Sequence, residues 1–294
     1  MKILLFGKNG QVGWELQRSL APLGELNALS KGDADLADLN GLRRCIQEYK
    51  PDVIVNAGAY TAVDKAESEP EKARRVNAEA VGVMAEEAKK CQAWLVHYST
   101  DYVFDGTKKG PYEVEDTANP ISVYGKTKLE GEALIKQHSP KYLIFRTSWV
   151  YAARGNNFAK TMLRLARERD ALSVVVDQIG APTSAELIAD VTALAIYRIR
   201  TQEKPESLTG TYHLVASGET SWHGYAQYVL ELAKEKGIAL RVEPANVREI
   251  NTEDYPTPAA RPKNSRLNSQ SLTDTFRILL PDWRYHVKRM IEEI

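Results

Sequence analysis

Lys2-Ile3-Leu4-Leu5-Phe6-Gly7-Lys8-Asn9-Gly10-Gln11-Val12-Gly13 opens the chain. The apolar run ending at Phe6 reads as a buried strand, and Val12 to Leu20 has the apolar spacing of a helix. Between them Gly7, Gly10 and Gly13 make a G-x-x-G-x-x-G series. Glycine lets the backbone turn tightly and approach a diphosphate, while free N–H groups and the dipole at a helix start favour its negative charge. Strand, glycine turn and helix in this order point to a dinucleotide site at Gly7, Gly10, Gln11, Val12 and Gly13. A glycine-rich turn without a ligand is the plainer alternative.

Working outward, strand and helix signals alternate. An apolar segment at Glu25–Ser30 is followed by a helix around Leu39–Tyr49, a strand at Val53–Ala57, a long helix near Arg75–Cys91 and a strand at Ala93–Tyr98. Ser122–Gln137 then reads as helix and Tyr142–Phe145 as strand. Such alternation implies right-handed crossovers on a parallel sheet covered on both faces, an α/β doubly wound fold of the Rossmann type. From Tyr151 onward the texture changes: Asn156-Asn157-Phe158, Ala181-Pro182-Thr183 and Tyr255-Pro256-Thr257-Pro258 mark irregular connections. The helix Ala185–Arg200 and the strand Tyr212–Val215 still suit the sheet, and Ser221 looks like the cap of a helix running to Lys236, closed by Gly237. The expected division is a dinucleotide-binding domain of residues 1–150 plus about 184–216, interleaved with a smaller substrate domain of about 151–183 plus 217–294.

Composition narrows the function classes. Lysine plus arginine equals aspartate plus glutamate at 39 each, so no net field steers polyanions and nucleic acid is not an expected partner. A chain of 294 residues buries enough surface to need no staples. Its two cysteines, Cys45 and Cys91, lie in helix-like stretches and suit a reducing compartment, so cytoplasm is the expected location. No stretch approaches the ~18 uncharged apolar residues of a membrane span, and the N-terminus runs into the glycine loop rather than a cleavage site.

Tyr124-Gly125-Lys126-Thr127-Lys128 places a phenol and an ammonium four residues apart, on one face if the segment is helical. A positive charge nearby favours phenolate and brings a tyrosine toward acid–base duty, though a lone Tyr-x-x-x-Lys also arises by chance. Ser99-Thr100-Asp101-Tyr102 follows a strand, at the carboxyl end where such sheets bind ligands. Many of these folds carry an acid about 20 residues beyond the glycines to hold a ribose 2′-hydroxyl. That place is held by Ser30 with Lys31 beside it, an arrangement that accepts a 2′-phosphate and favours NADPH at least as much as NADH. Arg261 and Arg266 either clasp a diphosphate or form loop salt bridges.

The glycine loop, Asn56-Ala57-Gly58, Ser99-Thr100 and Tyr124 with Lys128, in this order, resemble the extended short-chain dehydrogenase/reductase family. His97-Tyr98-Ser99-Thr100-Asp101-Tyr102-Val103-Phe104, Phe145-Arg146-Thr147-Ser148-Trp149-Val150-Tyr151, Asp177-Gln178 with Gly180, and Arg261-Pro262 with Asn264-Ser265-Arg266-Leu267 are similar to its dTDP-4-dehydrorhamnose reductase branch. That resemblance implies reduction of the 4-keto group of dTDP-4-dehydro-L-rhamnose by NADPH or NADH in the making of dTDP-L-rhamnose for bacterial surface polysaccharides. Tyr124 would donate the proton, Lys128 would hold the ribose, Thr100 would bond the carbonyl oxygen, and Asp101 and Trp149 would contact the sugar. The cofactor would lie along Gly10, Gln11, Val12, Asp35, Leu36, the backbone of Ala59, Tyr60 and Thr61, and Tyr98. It also implies a homodimer held through Mg2+, with Glu186 and Glu292 or Glu293 as candidate ligands; solvated surface carboxylates are the plainer account. A dehydratase would want Asp-Glu after the threonine, and Tyr102 stands there instead. A related epimerase, or a regulatory subunit that holds NADP without turnover, are the other readings.

Overall fold

The computed structural model describes residues 1–294. Its first half runs β1 (Lys2–Phe6), α1 (Gln11–Leu20), β2 (Glu25–Leu29), α2 (Leu39–Tyr49) and β3 (Val53–Asn56). Short helices α3 (Val63–Ala66) and α4 (Pro70–Arg74) lead through one π-helical turn at Arg75–Glu79 into α5 (Ala80–Cys91). β4 (Trp94–Thr100), α6 (Val123–His138) and β5 (Tyr142–Thr147) follow. The second half comprises β6 (Val150–Tyr151), α7 (Phe158–Glu168), β7 (Ser173–Val175), β8 (Ile179–Gly180), β9 (Thr183–Ser184), α8 (Ala185–Thr201) and β10 (Gly210–His213). It ends with β11 (Thr220–Ser221), α9 (Trp222–Glu235), β12 (Arg248–Ile250), α10 (Gln270–Phe276) and α11 (Trp283–Glu293).

Six parallel strands form the central sheet in the order β2-β1-β3-β4-β5-β10, so the fold is the doubly wound α/β type. Ile3, Leu4, Leu5, Val53, Ile54 and Val55 are almost wholly inaccessible, as strands covered on both faces must be. The chain steps outward from β1 to β2 and then crosses back to β3, and that reversal opens a crevice at the carboxyl ends of β1 and β3. The glycine turn and the segment after β3 both lie there.

Alternate side chains of each strand feed two cores. Leu4, Phe6, Ile54, Leu95 and Ile144 pack with α2 and α5 on one face. Ile3, Leu5, Val53, Val55, Val96 and Phe145 face the other, where the core continues through α8 into Tyr225 of α9 and Trp283 and Val287 of α11. The C-terminal third therefore shares the core of the sheet. Three two-stranded sheets, β6 with β9, β8 with β11 and β7 with β12, stiffen the connections that the sequence marks as irregular. Ser221 caps α9 by accepting the Gly224 N–H, and Gly237 follows with φ +81°. No helix is long and apolar enough to cross a membrane.

Candidate active site

The glycine turn is built around atoms that leave no room for side chains. Gly7 has φ +87°, and a Cβ there would stand 2.7 Å from the Ala57 carbonyl carbon and the Gly58 nitrogen. A Cβ on Gly13 would collide with the Gly7 carbonyl. β1, the start of α1 and the segment after β3 are thereby pressed together. The Gly10 N-cap offers no side chain to the first N–H groups of α1, and no acidic residue occupies its first turn, so these donors are left for an anion. Gln11 accepts from Asn157 Nδ2 at 3.0 Å, tying this helix start to the loop before α7.

At the end of β2 the structure corrects one expectation. Ser30 does not present a free hydroxyl beside a lysine: its N–H and Oγ both donate to Asp33 Oδ2 at 2.8 Å. Lys8 joins the same oxygen at 2.9 Å, and these donors, led by the Ser30 N–H, hold the Asp33 carboxyl well below the usual range. An acid is therefore present, three residues beyond the expected place and supplied by a turn. Lys31 is largely exposed and lies 3.8 Å from Asp35. Leu36 is buried beneath Gly58, while Asp35 accepts the Ala37 N–H.

Ser122 caps α6 by accepting the Gly125 N–H. From that start Tyr124, Lys128 and Glu132 recur every fourth residue along one face. Gly125 and Gly131 lie against the carbonyl oxygens of Tyr102 and Asn77, where any Cβ would collide, so α6 sits close on the turn that follows β4 and on the π-helical turn. Tyr124 is half-buried beside Thr100 and meets Tyr102 edge-on at 5.7 Å. Burial, followed by the Asp101 carboxyl, pushes the phenol up to about 12. Thr100 donates to Asp101 Oδ1 at 3.0 Å, while Asp101 Oδ2 is buried without a hydrogen bond; burial raises this carboxyl to about 6, against the nearby hydroxyls of Ser265 and Thr100.

Lys128 is only 2 % exposed. Its Nζ donates to the Tyr98 carbonyl at 2.6 Å and lies 3.1 Å from His97 Nε2, and burial pushes it down to about 8. Its head group is thus turned to β4, and the lowering of Tyr124 expected of it is not seen in this state: burial and Asp101 set that phenol. Tyr98 meets Lys128 through its carbonyl only; its phenol pairs with Thr192 of α8 at 2.8 Å.

Asn77, which sequence reasoning did not single out, organises the segment after β3. Its amide accepts the Tyr60 N–H at 2.8 Å and donates to the Tyr60 carbonyl and to Thr127 Oγ1 at 3.1 and 3.2 Å. Ala59, Tyr60 and Thr61 are held against α6 in this way. The π-helical turn containing Asn77 is a kind of distortion that recurs at functional sites. Trp149, just past β5, adopts φ +49° and stacks on Trp222 at 3.7 Å. The pair covers Gly180, where a Cβ would come within 2.8 Å of the Trp149 ring. Trp222 was also missed; its only signal was an aromatic residue beside the Ser221 cap.

A family model described as "RmlD substrate binding domain" matches residues 1–294. The chain belongs to the RmlD family. Among RmlD relatives, the dTDP-4-dehydrorhamnose reductase of Salmonella typhimurium is 55% identical and that of Escherichia coli K12 is 52% identical, each match covering 100% of this chain and 98% of the relative. The solved structure of the Clostridium acetobutylicum dTDP-4-dehydrorhamnose reductase superposes with a TM-score of 0.89 at 38% identity, and that of Bacillus anthracis, in complex with NADP, with 0.88 at 35%. Both alignments cover 100% of this chain and 99% of the other.

The arginines and carboxylates of this RmlD chain also have defined partners. Arg261 donates to Asp64 at 2.8 Å and Arg266 lies 3.5 Å from Glu219, the salt-bridge alternative of the sequence reading. Through Arg261 and through Asn264, which donates to the Lys108 and Gly110 carbonyls, the segment 259–267 is fastened onto the loops that follow β3 and β4. Arg289 lies 3.3 Å from Glu186 and 3.7 Å from Glu293, so the candidate magnesium ligands are neutralised by a guanidinium. No group of three or more His, Cys, Asp or Glu side chains is placed to hold a metal ion. Within one chain these residues do not fit a magnesium site.

Proposed function

We propose that this chain is a dTDP-4-dehydrorhamnose reductase that converts the 4-keto group of dTDP-4-dehydro-L-rhamnose to the alcohol of dTDP-L-rhamnose with NADPH or NADH. The observation that carries this reading is one continuous line of contacts. It runs from the glycine turn at Gly7, through Gly58 and Asn56, to His97 and Lys128 on the helix that bears Tyr124. The phosphate end of a dinucleotide site and a buried acid–base group are thus parts of one construction.

The residues fit the cofactor. The side-chain-free cradle at Gly7 and Gly13 and the uncapped start of α1 suit a diphosphate. Lys8 and Asp33 stand where the adenosine ribose would lie, the lysine matched to a 2′-phosphate and the carboxylate to a 2′-hydroxyl, so both dinucleotides are accommodated. The relative from Bacillus anthracis was solved with NADP. When bound, the nicotinamide supplies the hydride that adds to C4.

Tyr124 donates its phenolic proton to the C4 oxygen. Because burial and Asp101 hold the phenol up at about 12, it is protonated at neutral pH and ready to act as an acid. Thr100 turns its single hydroxyl proton from Asp101 to the same oxygen, and solvent reprotonates the phenolate that remains. The unpartnered Asp101 Oδ2 accepts from a sugar hydroxyl, an interaction that answers its orphaned state. Lys128 binds the nicotinamide ribose and, as the ammonium, stabilises the phenolate. Trp149 and Trp222 wall the sugar pocket.

We further assign residues 1–150 with about 184–216 to dinucleotide binding and about 151–183 with 217–294 to the substrate, in support of which α8 packs against α1 and β10 completes the sheet. A cytoplasmic location accords with the free thiols of Cys45 and Cys91. A homodimer accords with exposed Trp14 of α1 and Leu194 and Tyr197 of the adjoining α8. The function is tested by offering dTDP-4-dehydro-L-rhamnose with NADPH and identifying the product. Stoichiometric dTDP-L-rhamnose is expected; nicotinamide oxidation without it, or no oxidation, contradicts the assignment.

A further inference from the structure

Asn56, His97 and Lys128 form a buried hydrogen-bonded row whose proton positions are dictated by its first member. Asn56 Oδ1 accepts the Gly58 N–H at 3.0 Å, which fixes the orientation of the amide. Its Nδ2, a donor only, therefore faces His97 Nδ1 at 3.1 Å, and Nδ1 must be the unprotonated nitrogen of the ring. His97 is buried and held well below its ordinary range chiefly by that burial, so the ring is neutral and its single proton sits on Nε2. Nε2 lies 3.1 Å from Lys128 Nζ. An ammonium has three donors and no acceptor, so an N–H pointed at it meets no lone pair; a neutral amine accepts it well.

We propose that Asn56 and His97 are positioning residues that favour the neutral amine of Lys128 in the ligand-free protein, through a His97 tautomer set by the Gly58 N–H. The inference deepens the reductase reading and rests on it for the role of Lys128. Charging Lys128 requires His97 to move its proton to Nδ1, Asn56 to turn its amide over, and the Gly58 N–H to lose its acceptor.

The other groups around Lys128 do not impose the amine by charge. Glu132, one turn further along α6, favours the ammonium but is taken up by Arg146 of β5, and Tyr124 and Asp101 lie toward the substrate side. Asn77, on the π-helical turn against α6, is uncharged. Burial lowers Lys128 from 10.5 to about 8, the direction that the row requires.

The test is 15N-histidine NMR on the intact ligand-free protein, with His97→Gln identifying the His97 signals. A proton on Nε2 and a bare Nδ1 near neutral pH are expected; a proton on Nδ1, or on both nitrogens, overturns the proposal whether or not the protein reduces a sugar. The second arm is Asn56→Asp, which keeps an oxygen for the Gly58 N–H and gives Nδ1 an acceptor. The His97 proton should move to Nδ1, and the alkaline limb of kcat/KM should rise by about one pH unit or more. An unmoved limb, or a limb that moves without the tautomer change, overturns the proposal.

Discussion

Asp101 is destabilising where it stands: it is 2 % exposed, one oxygen has no partner, and burial raises its carboxyl from 3.8 to about 6. The unfolded chain ionises this group near its ordinary value and the fold resists until about 6, so the penalty is absent in acid, grows between those values and is complete above them. Asp101→Asn should therefore raise the unfolding free energy by on the order of 2–3 kcal/mol at about pH 8 and by little at about pH 4. Urea unfolding at the two pH values measures this, and an equal gain at both contradicts it. Asp33 makes a second residue-scale prediction. Its carboxylate is the acceptor at the end of β2, so Asp33→Asn should raise the ratio of kcat/KM for NADPH over NADH about tenfold, the effect of a hydrogen bond to a charged group. An unchanged ratio places the ribose elsewhere. Asp33 was not legible in the sequence because it reaches its position through a turn; Asp101 was expected at the sugar, but the isolation of its oxygen depends on what covers it.

The elements were more legible than their ends. β1, β3 and β4 announce themselves as apolar runs because a parallel strand buried on both faces has no polar side to interrupt it. Between Val63 and Glu79 the chain is rich in charge, and a helix-like reading beginning at Arg75 misses α3, α4 and the π-helical turn. That turn follows from Asn77 facing inward toward Tyr60 and Thr127, a tertiary choice that leaves no periodic mark. On α6 the spacing of Tyr124 and Lys128 was readable, whereas the next member of the row was not. Glu132 is fully buried and takes Arg146 Nε and Nη2 at 2.9 and 2.7 Å together with the Ser99 hydroxyl at 2.6 Å. This pair bolts α6 to β4 and β5. Arg146→Met leaves the carboxylate buried and uncompensated, and chemical unfolding should register a loss of about 3–5 kcal/mol, much of it restored in Glu132→Leu/Arg146→Met. A single substitution costing under about 1 kcal/mol contradicts a structural role for the pair.

At the scale of the molecule, one continuous core joins the sheet to α9 and α11, so the segment that carries Trp222 moves with the strand that carries Thr100. The segment around Arg261 closes over the loops after β3 and β4 through its bond to Asp64. Strand order and the crevice at β1 and β3 follow from the alternation that the sequence displays, but the Trp149–Trp222 stack joins residues 73 positions apart, one in left-handed backbone, and no local pattern foretells it. All of this framework serves one proposed event, transfer of the Tyr124 proton to a ketone oxygen. Tyr124→Phe removes the hydroxyl and keeps the ring that packs on Tyr102. With saturating dTDP-4-dehydro-L-rhamnose and NADPH, kcat should fall by about 10²–10⁴-fold while the affinity for NADPH stays within about twofold; undiminished turnover contradicts the account.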